Sequence, residues 1–159
     1  MIKAIENSGA YYMGLANLDD SGSVITMKFD TGAINTIISL NALVSTNIDK
    51  ERFLAEICNK TQKKLFRSAS GNEMQGFLIC AKNVLLSGTP IEQFFYYLIV
   101  DIEENIGLIG NDFISKCRFH HEVDDDIEIT FFHQKRYQDD TKQAITNDEV
   151  NAILQLCSL

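Results

Sequence analysis

The chain has 159 residues, 45% apolar and 23% charged, the balance of one globular domain with a core of its own. Its 14 basic residues against 22 acidic ones give a formal charge of −8, which argues against a nucleic-acid partner because phosphate binding needs a basic patch. No stretch approaches the roughly 20 apolar residues of a membrane span, and the first residues carry no apolar run of signal-peptide length, so a cytoplasmic protein without membrane contact is expected.

Residues 10–18 read as a strand, Asp19-Asp20-Ser21-Gly22 as a turn, and 23–29 as the returning strand. In the second strand Ile25, Met27 and Phe29 alternate with Val24, Thr26 and Lys28, the period of a pleated strand. Residues 34–40 are again β-prone. From Asn47 or Asp49 the period changes: Phe53, Leu54, Ile57 and Cys58 share one side of an amphipathic helix expected to run to about Lys63. A second hairpin follows, with strands at 65–68 and 77–81 around the polar tip 69–76.

Residues 84–86, a Ser87-Gly88-Thr89-Pro90 turn and 94–100 continue the β series. Phe94-Phe95-Tyr96-Tyr97 reads as a buried or interface strand. Residues 106–109 form a short apolar strand ending at Gly110, and Asp112 is placed to cap a short helix at 113–116. A last hairpin joins 117–120 to 127–132 across the acidic residues 122–126. Beyond a polar stretch from Gln134, Asn147 is placed to cap a helix carrying Val150, Ile153, Leu154 and Cys157 on one face. Many short strands with few helices predict a mainly β barrel or sandwich. Residues 1–133 form its body, and 134–159 are a C-terminal extension of the same unit.

Cys58, Cys80, Cys117 and Cys157 lie far apart with no Cys-x-x-Cys spacing, so free buried thiols are expected rather than a disulfide framework. His120, His121 and His133 stand near Asp124, Asp125 and Asp126, but adjacent strand residues point to opposite faces, and the acidic run lacks the glycine and distal glutamate of a calcium loop. No metal or other cofactor is expected. Nor does Leu108-Ile109-Gly110 belong to a Gly-x-Gly-x-x-Gly nucleotide motif.

The informative stretch is Lys28-Phe29-Asp30-Thr31-Gly32-Ala33. An Asp-Thr-Gly tripeptide alone arises by chance in roughly a few per cent of chains this long. Here an apolar strand leads in and a β-prone segment leads out. A glycine-tipped hairpin follows, and then Leu108-Ile109-Gly110-Asn111-Asp112-Phe113-Ile114. This series, from about Ser23 to Phe132, resembles the retropepsin family of aspartic proteases, its cellular and bacterial branch more than the retroviral one. The resemblance implies a closed β-barrel with one or two helices, a single lobe that dimerises. It implies a catalytic loop of Asp30, Thr31 and Gly32, with the Thr31 hydroxyl bonding across the dyad to the opposite loop. It further implies a cleft lined by Ala33, Leu108, Ile109 and Gly110, under a flap whose tip includes Ala69, Ser70, Gly71 and Asn72.

Peptide hydrolysis of this kind needs two close carboxylates sharing one proton and one water. The rival Asp20-Ser21-Gly22 lies a strand length away, ten residues at about 3.3 Å each or roughly 30 Å, and reads as a turn. The second aspartate must come from another copy of the chain, Asp30 meeting Asp30 across a two-fold axis in a homodimer. A peptide or protein is then the substrate. The alternative is a catalytically silent module of the same fold, used for dimerisation or peptide binding. One departure stands out: the acid and base that pair near the interface in retroviral members are replaced by Ile34 and Asn111.

Overall fold

The structure, a computed structural model, describes residues 2–8, 11–17, 24–44, 47–67, 71–121, 127–131 and 144–159. Strands β2 (Tyr11–Asn17) and β3 (Val24–Phe29) form the first hairpin, in antiparallel register from Tyr12 opposite Phe29 to Asn17 opposite Val24. The alternation of β3 holds in space, with Ile25, Met27 and Phe29 buried and Val24 and Thr26 exposed. The turn with Asp20 lies outside the described residues. A strand the sequence reading lacks, β1 (Ile2–Ser8), pairs with β2. Its Glu6-Asn7-Ser8 end has no apolar alternation to announce it.

Strand β4 (Ile37–Ser39) gives way at once to a single turn, α1 (Leu40–Leu43). Helix α2 (Lys50–Cys58) starts where the Asp49 carboxylate accepts from the Arg52 N–H, an N-cap, and is shorter than expected. Phe53 and Ile57 are buried and Leu54 packs beside them, but Cys58 is exposed. One residue beyond Ile57 is about 100° further round the helix, enough to leave the core face.

Strands β5 (Lys63–Arg67) and β6 (Glu73–Leu86) pair from Lys63 opposite Phe77 to Arg67 opposite Glu73. β6 is one long strand where two pieces were expected. It returns as β7 (Thr89–Ile99) through the two residues Ser87 (φ 48°) and Gly88 (φ 82°). Two left-handed residues make a type I′ turn, whose twist suits a hairpin, so Thr89 and Pro90 belong to the strand.

Short β8 (Gly107–Ile109) leads into α3 (Asn111–Ile114). β9 (Cys117–His121) and β10 (Ile127–Phe131) form the expected last hairpin, and β10 pairs with β1. The two residues of β11 (Ile145–Thr146) run parallel to β6 beside Ile79 and Cys80. Helix α4 (Asn147–Leu156) follows, capped by Thr146 and not by Asn147. Thr146 and Glu149 make a reciprocal capping box. Asn147 is buried instead, its Oδ1 accepting from the Tyr96 hydroxyl at 3.0 Å.

Among the described residues the result is a mainly β fold with few helices and one mixed sheet of eleven strands, ordered β11-β6-β7-β4-β8-β3-β2-β1-β10-β9 with β5 also on β6. The pairs β3–β8, β4–β7 and β6–β11 are parallel. β2 also pairs with the far end of β6, at Leu85 and Leu86. Met27, Phe29, Ile38, Phe77, Phe94, Tyr96 and Ile109 meet in the main core, joined by Phe53 and Ile57 of α2 and Val150 and Ile153 of α4. Phe113 of α3 packs its ring against Phe29 (centroids 6.5 Å) and Phe94 (5.8 Å), tying the segment after β8 to the strand before Asp30. Among the described residues no helix is long and apolar enough to cross a membrane.

Candidate active site

β8 lies between β3 and β4. It is parallel to β3, with Phe29 beside Ile109, and antiparallel to β4, with Ile37 beside Leu108. The connection from β3 to β4, residues 30–36, therefore loops over the C-terminal end of β8. Its first residue stays in the ladder, since the Asp30 N–H donates to the Ile109 carbonyl at 2.9 Å. Then the chain turns: the Gly32 N–H donates to Asp30 Oδ1 at 2.9 Å and the Ala33 N–H to the Asp30 carbonyl at 3.1 Å. An aspartate that accepts from the backbone two residues on stabilises its own turn.

The start of α3 holds the loop from below. A helix begins with N–H groups that lack intrahelical acceptors. Here Asn111 N–H donates to the Ala33 carbonyl (2.9 Å) and Asp112 N–H to the Ile34 carbonyl (3.1 Å). The Asn111 side-chain amide adds a bond to the Thr31 carbonyl at 2.6 Å. Gly110 makes this closeness feasible, because a Cβ there would stand 2.5 Å from the backbone C and O of Asn35.

Thr36, not singled out from the sequence, and Asp112, expected there only as a helix cap, complete the clamp. Thr36 is wholly buried. Its N–H and hydroxyl donate to Asp112 Oδ2 (2.9 Å) and Oδ1 (2.7 Å), and its hydroxyl oxygen accepts from the Gly110 N–H (3.2 Å). The Thr36 carbonyl accepts from Tyr97 N–H at 2.9 Å. Asp112 was expected to cap α3; Gly110 occupies the N-cap and the carboxylate points across to Thr36. A threonine inside the apolar run 34–40 was the available clue, since a buried hydroxyl must find a partner.

The loop thus leaves Thr31 and Gly32 exposed, with Asp30 and Ala33 half-buried. Leu108 is half-buried. Ile109 and Gly110 are buried, so what they give the site is position, through the Ile109 carbonyl and the close packing of Gly110 on Asn35. Of the expected flap tip, Gly71 (φ 86°) and Asn72 are exposed, while Ala69 and Ser70 lie outside the described residues. The base of that hairpin is anchored where Gln75 N–H donates to Asp101 Oδ2 at 2.6 Å. A contact links hairpin and loop, Lys64 Nζ donating to Asn35 Oδ1 at 3.4 Å.

Ile34 is 79% exposed and Asn111 is spent on Thr31, so the pair that departs from the retroviral pattern makes no charged contact here. Among the described residues no group of three His, Cys, Asp or Glu could hold a metal ion; the side chains of His120, His121 and His133 and the acidic residues 124–126 fall outside them. An open concavity lined by residues 58–63 at the α2–β5 turn includes none of the loop. Cys80 and Cys157 are free and buried as expected, and burial pushes both thiols up from their ordinary pKa. Cys58 is free but exposed.

No family model and no curated protein matches the sequence. Among solved structures, the chain is similar to the crystal structure of a retropepsin-like aspartic protease from Rickettsia conorii, with 18% identity over 81% of this chain and 97% of that one and a TM-score of 0.49.

Proposed function

We propose that the chain is one subunit of a homodimeric aspartic endopeptidase, acting in the cytoplasm on peptides or proteins. The observation that carries this reading is the Asp30 loop. It is clamped by Ile109, Asn111, Asp112 and Thr36, yet leaves the Asp30 carboxyl half-open beside exposed Thr31 and Gly32. A plain turn needs no such support. The β2–β6 pairing suits a closed barrel, because it joins the two ends of the path β6-β7-β4-β8-β3-β2.

In the dimer two Asp30 carboxyls face one another and share one proton and one water. The ionised carboxylate takes a proton from the water as its oxygen attacks the scissile carbonyl carbon. The protonated partner gives its proton to the carbonyl oxygen. Collapse of the tetrahedral intermediate breaks the C–N bond, and the leaving amine takes a proton from the dyad. Thr31, exposed in the single chain, is free to bond across the two-fold axis. Ala33, Leu108, Gly71 and Asn72 are assigned to the border of the cleft, buried Ile109 and Gly110 support it from beneath, and Ala69 and Ser70 are proposed as further substrate-binding residues.

The test combines solution mass with cleavage of an unbiased peptide library across pH. A dimer that cleaves best under mildly acidic conditions, and an Asp30→Asn variant that still dimerises but does not cleave, are the expected results. Cleavage by a strict monomer refutes the shared dyad. Peptide binding without cleavage by the wild-type dimer would favour the silent module.

A further inference from the structure

Beside the Asp30 loop, the first arm of the β5–β6 hairpin carries a cation in an unusual setting. Lys64 and Phe66 share one face of β5, and that face turns toward the loop, since Lys64 reaches Asn35. Gly76, opposite Lys64, has no side chain, and the Phe66 ring crosses it: a Cβ at Gly76 would stand 2.4 Å from the Phe66 ring. Phe66 meets the Tyr97 ring edge-on at 5.0 Å between centroids. The Lys64 ammonium sits over both, 4.8 Å from the Tyr97 centroid and 5.2 Å from that of Phe66.

Two rings and the Asn35 amide oxygen therefore fix this charge in place. An ammonium has three donors, and Asn35 takes one at most. No carboxylate among the described residues lies within ion-pair distance of Lys64, and the side chain is exposed. Such a charge is pre-organised for an anion that comes to it, because less conformational freedom is left to lose on pairing. Its position selects the anion. Asn35 follows Asp30 by five residues, so their Cα atoms are no more than about 18 Å apart, a span that an extended peptide covers in about five residues.

We propose that Lys64 is a specificity-determining residue that pairs with an aspartate or glutamate side chain of the substrate, within about five residues of the bond cleaved. The inference rests on the protease reading for the location of the peptide, between the β5–β6 hairpin and the Asp30 loop. Phe66 and Tyr97 hold the ammonium from the ring side and leave its outer face open to the substrate carboxylate. An acidic protein of charge −8 thereby keeps a fixed cation beside the proposed cleft.

The probe is a set of extended decapeptides in which one Glu is moved along an otherwise uncharged library, each matched by its Gln counterpart. Affinities are measured by fluorescence anisotropy on the Asp30→Asn protein, so that binding is read without turnover. At one or two positions Glu should bind about five- to tenfold tighter than Gln. The ratio should survive Lys64→Arg, vanish in Lys64→Met, and shrink as salt rises from about 0.05 to about 0.5 M. An unchanged ratio in Lys64→Met, an equal loss for Glu and Gln peptides, or no binding by any peptide overturns the proposal. Cleavage by the wild type without a Glu preference sinks the role of Lys64 alone. A Lys64-dependent Glu preference with no cleavage by the wild type upholds that role and sinks the protease reading.

Discussion

Replacing Thr36 by valine tests whether the clamp under the Asp30 loop is as strong as its geometry implies. Valine keeps the shape and burial of threonine and removes only the hydroxyl. The Gly110 N–H then loses its acceptor in a buried place, which costs about 1–3 kcal/mol. The bond from the hydroxyl to Asp112 also goes. Its loss is set near 1 kcal/mol, because Asp112 is only half-buried and still accepts from the Thr36 N–H. The sum is about 2–4 kcal/mol, or roughly 5–15 °C in Tm for a chain of this size. Urea titration followed by circular dichroism measures it. Protein concentration must be held fixed, since association would itself shift the midpoint. Thr36→Ser keeps the hydroxyl and loses one methyl group, so it should cost about 1 kcal/mol. A Thr36→Val protein within about 0.5 kcal/mol of wild type, or a Thr36→Ser protein as unstable as Thr36→Val, would refute the reasoning.

Gly110→Ala drives a methyl group into the Asn35 backbone and should destabilise by about 1–3 kcal/mol. Cleavage at temperatures well below its melting point should fall further than in Thr146→Ala, which loses only the α4 cap, about 1 kcal/mol. Equal activity in the two would separate Gly110 from the site. Brief maleimide labelling of the folded protein, mapped by peptide mass, should modify Cys58 well before Cys80 or Cys157. Burial both hides the latter pair and holds their thiols protonated to higher pH, so early labelling of Cys157 would mean that α4 opens readily.

What the sequence made legible is what neighbours along the chain decide. The β2–β3 hairpin shows in six alternating residues. The Asp30 turn shows because Asp and Gly two apart define it, and Gly110 because it ends an apolar strand. The Thr36–Asp112 bond joins residues 76 apart, and a polar residue in an apolar run says that a partner exists without saying which. Asn147 shows the same limit from the other side. Both Thr146 and Asn147 are good caps, but only Thr146 has glutamate three residues on, so the pattern favoured it. What Asn147 does, bonding a tyrosine 51 residues away, has no local trace.

Asn111 carries the point into function. Read against a family pattern, it is a missing base and Ile34 a missing acid, which leaves open what holds this loop. In the fold Asn111 bonds the Thr31 carbonyl through its amide, and neighbouring N–H groups take the carbonyls of Ala33 and Ile34. The loop is thus held by short neutral bonds and by Asp112 on a buried threonine, contacts that salt screens weakly. The exposed Lys64 lies at the opposite extreme. Raising salt should therefore weaken a preference for acidic substrates while leaving the Asp30 loop, and with it the proposed cleavage of neutral peptides, nearly unchanged. Cleavage of neutral and acidic peptides falling in parallel with salt would mean instead that exposed charges hold the dimer or the loop together.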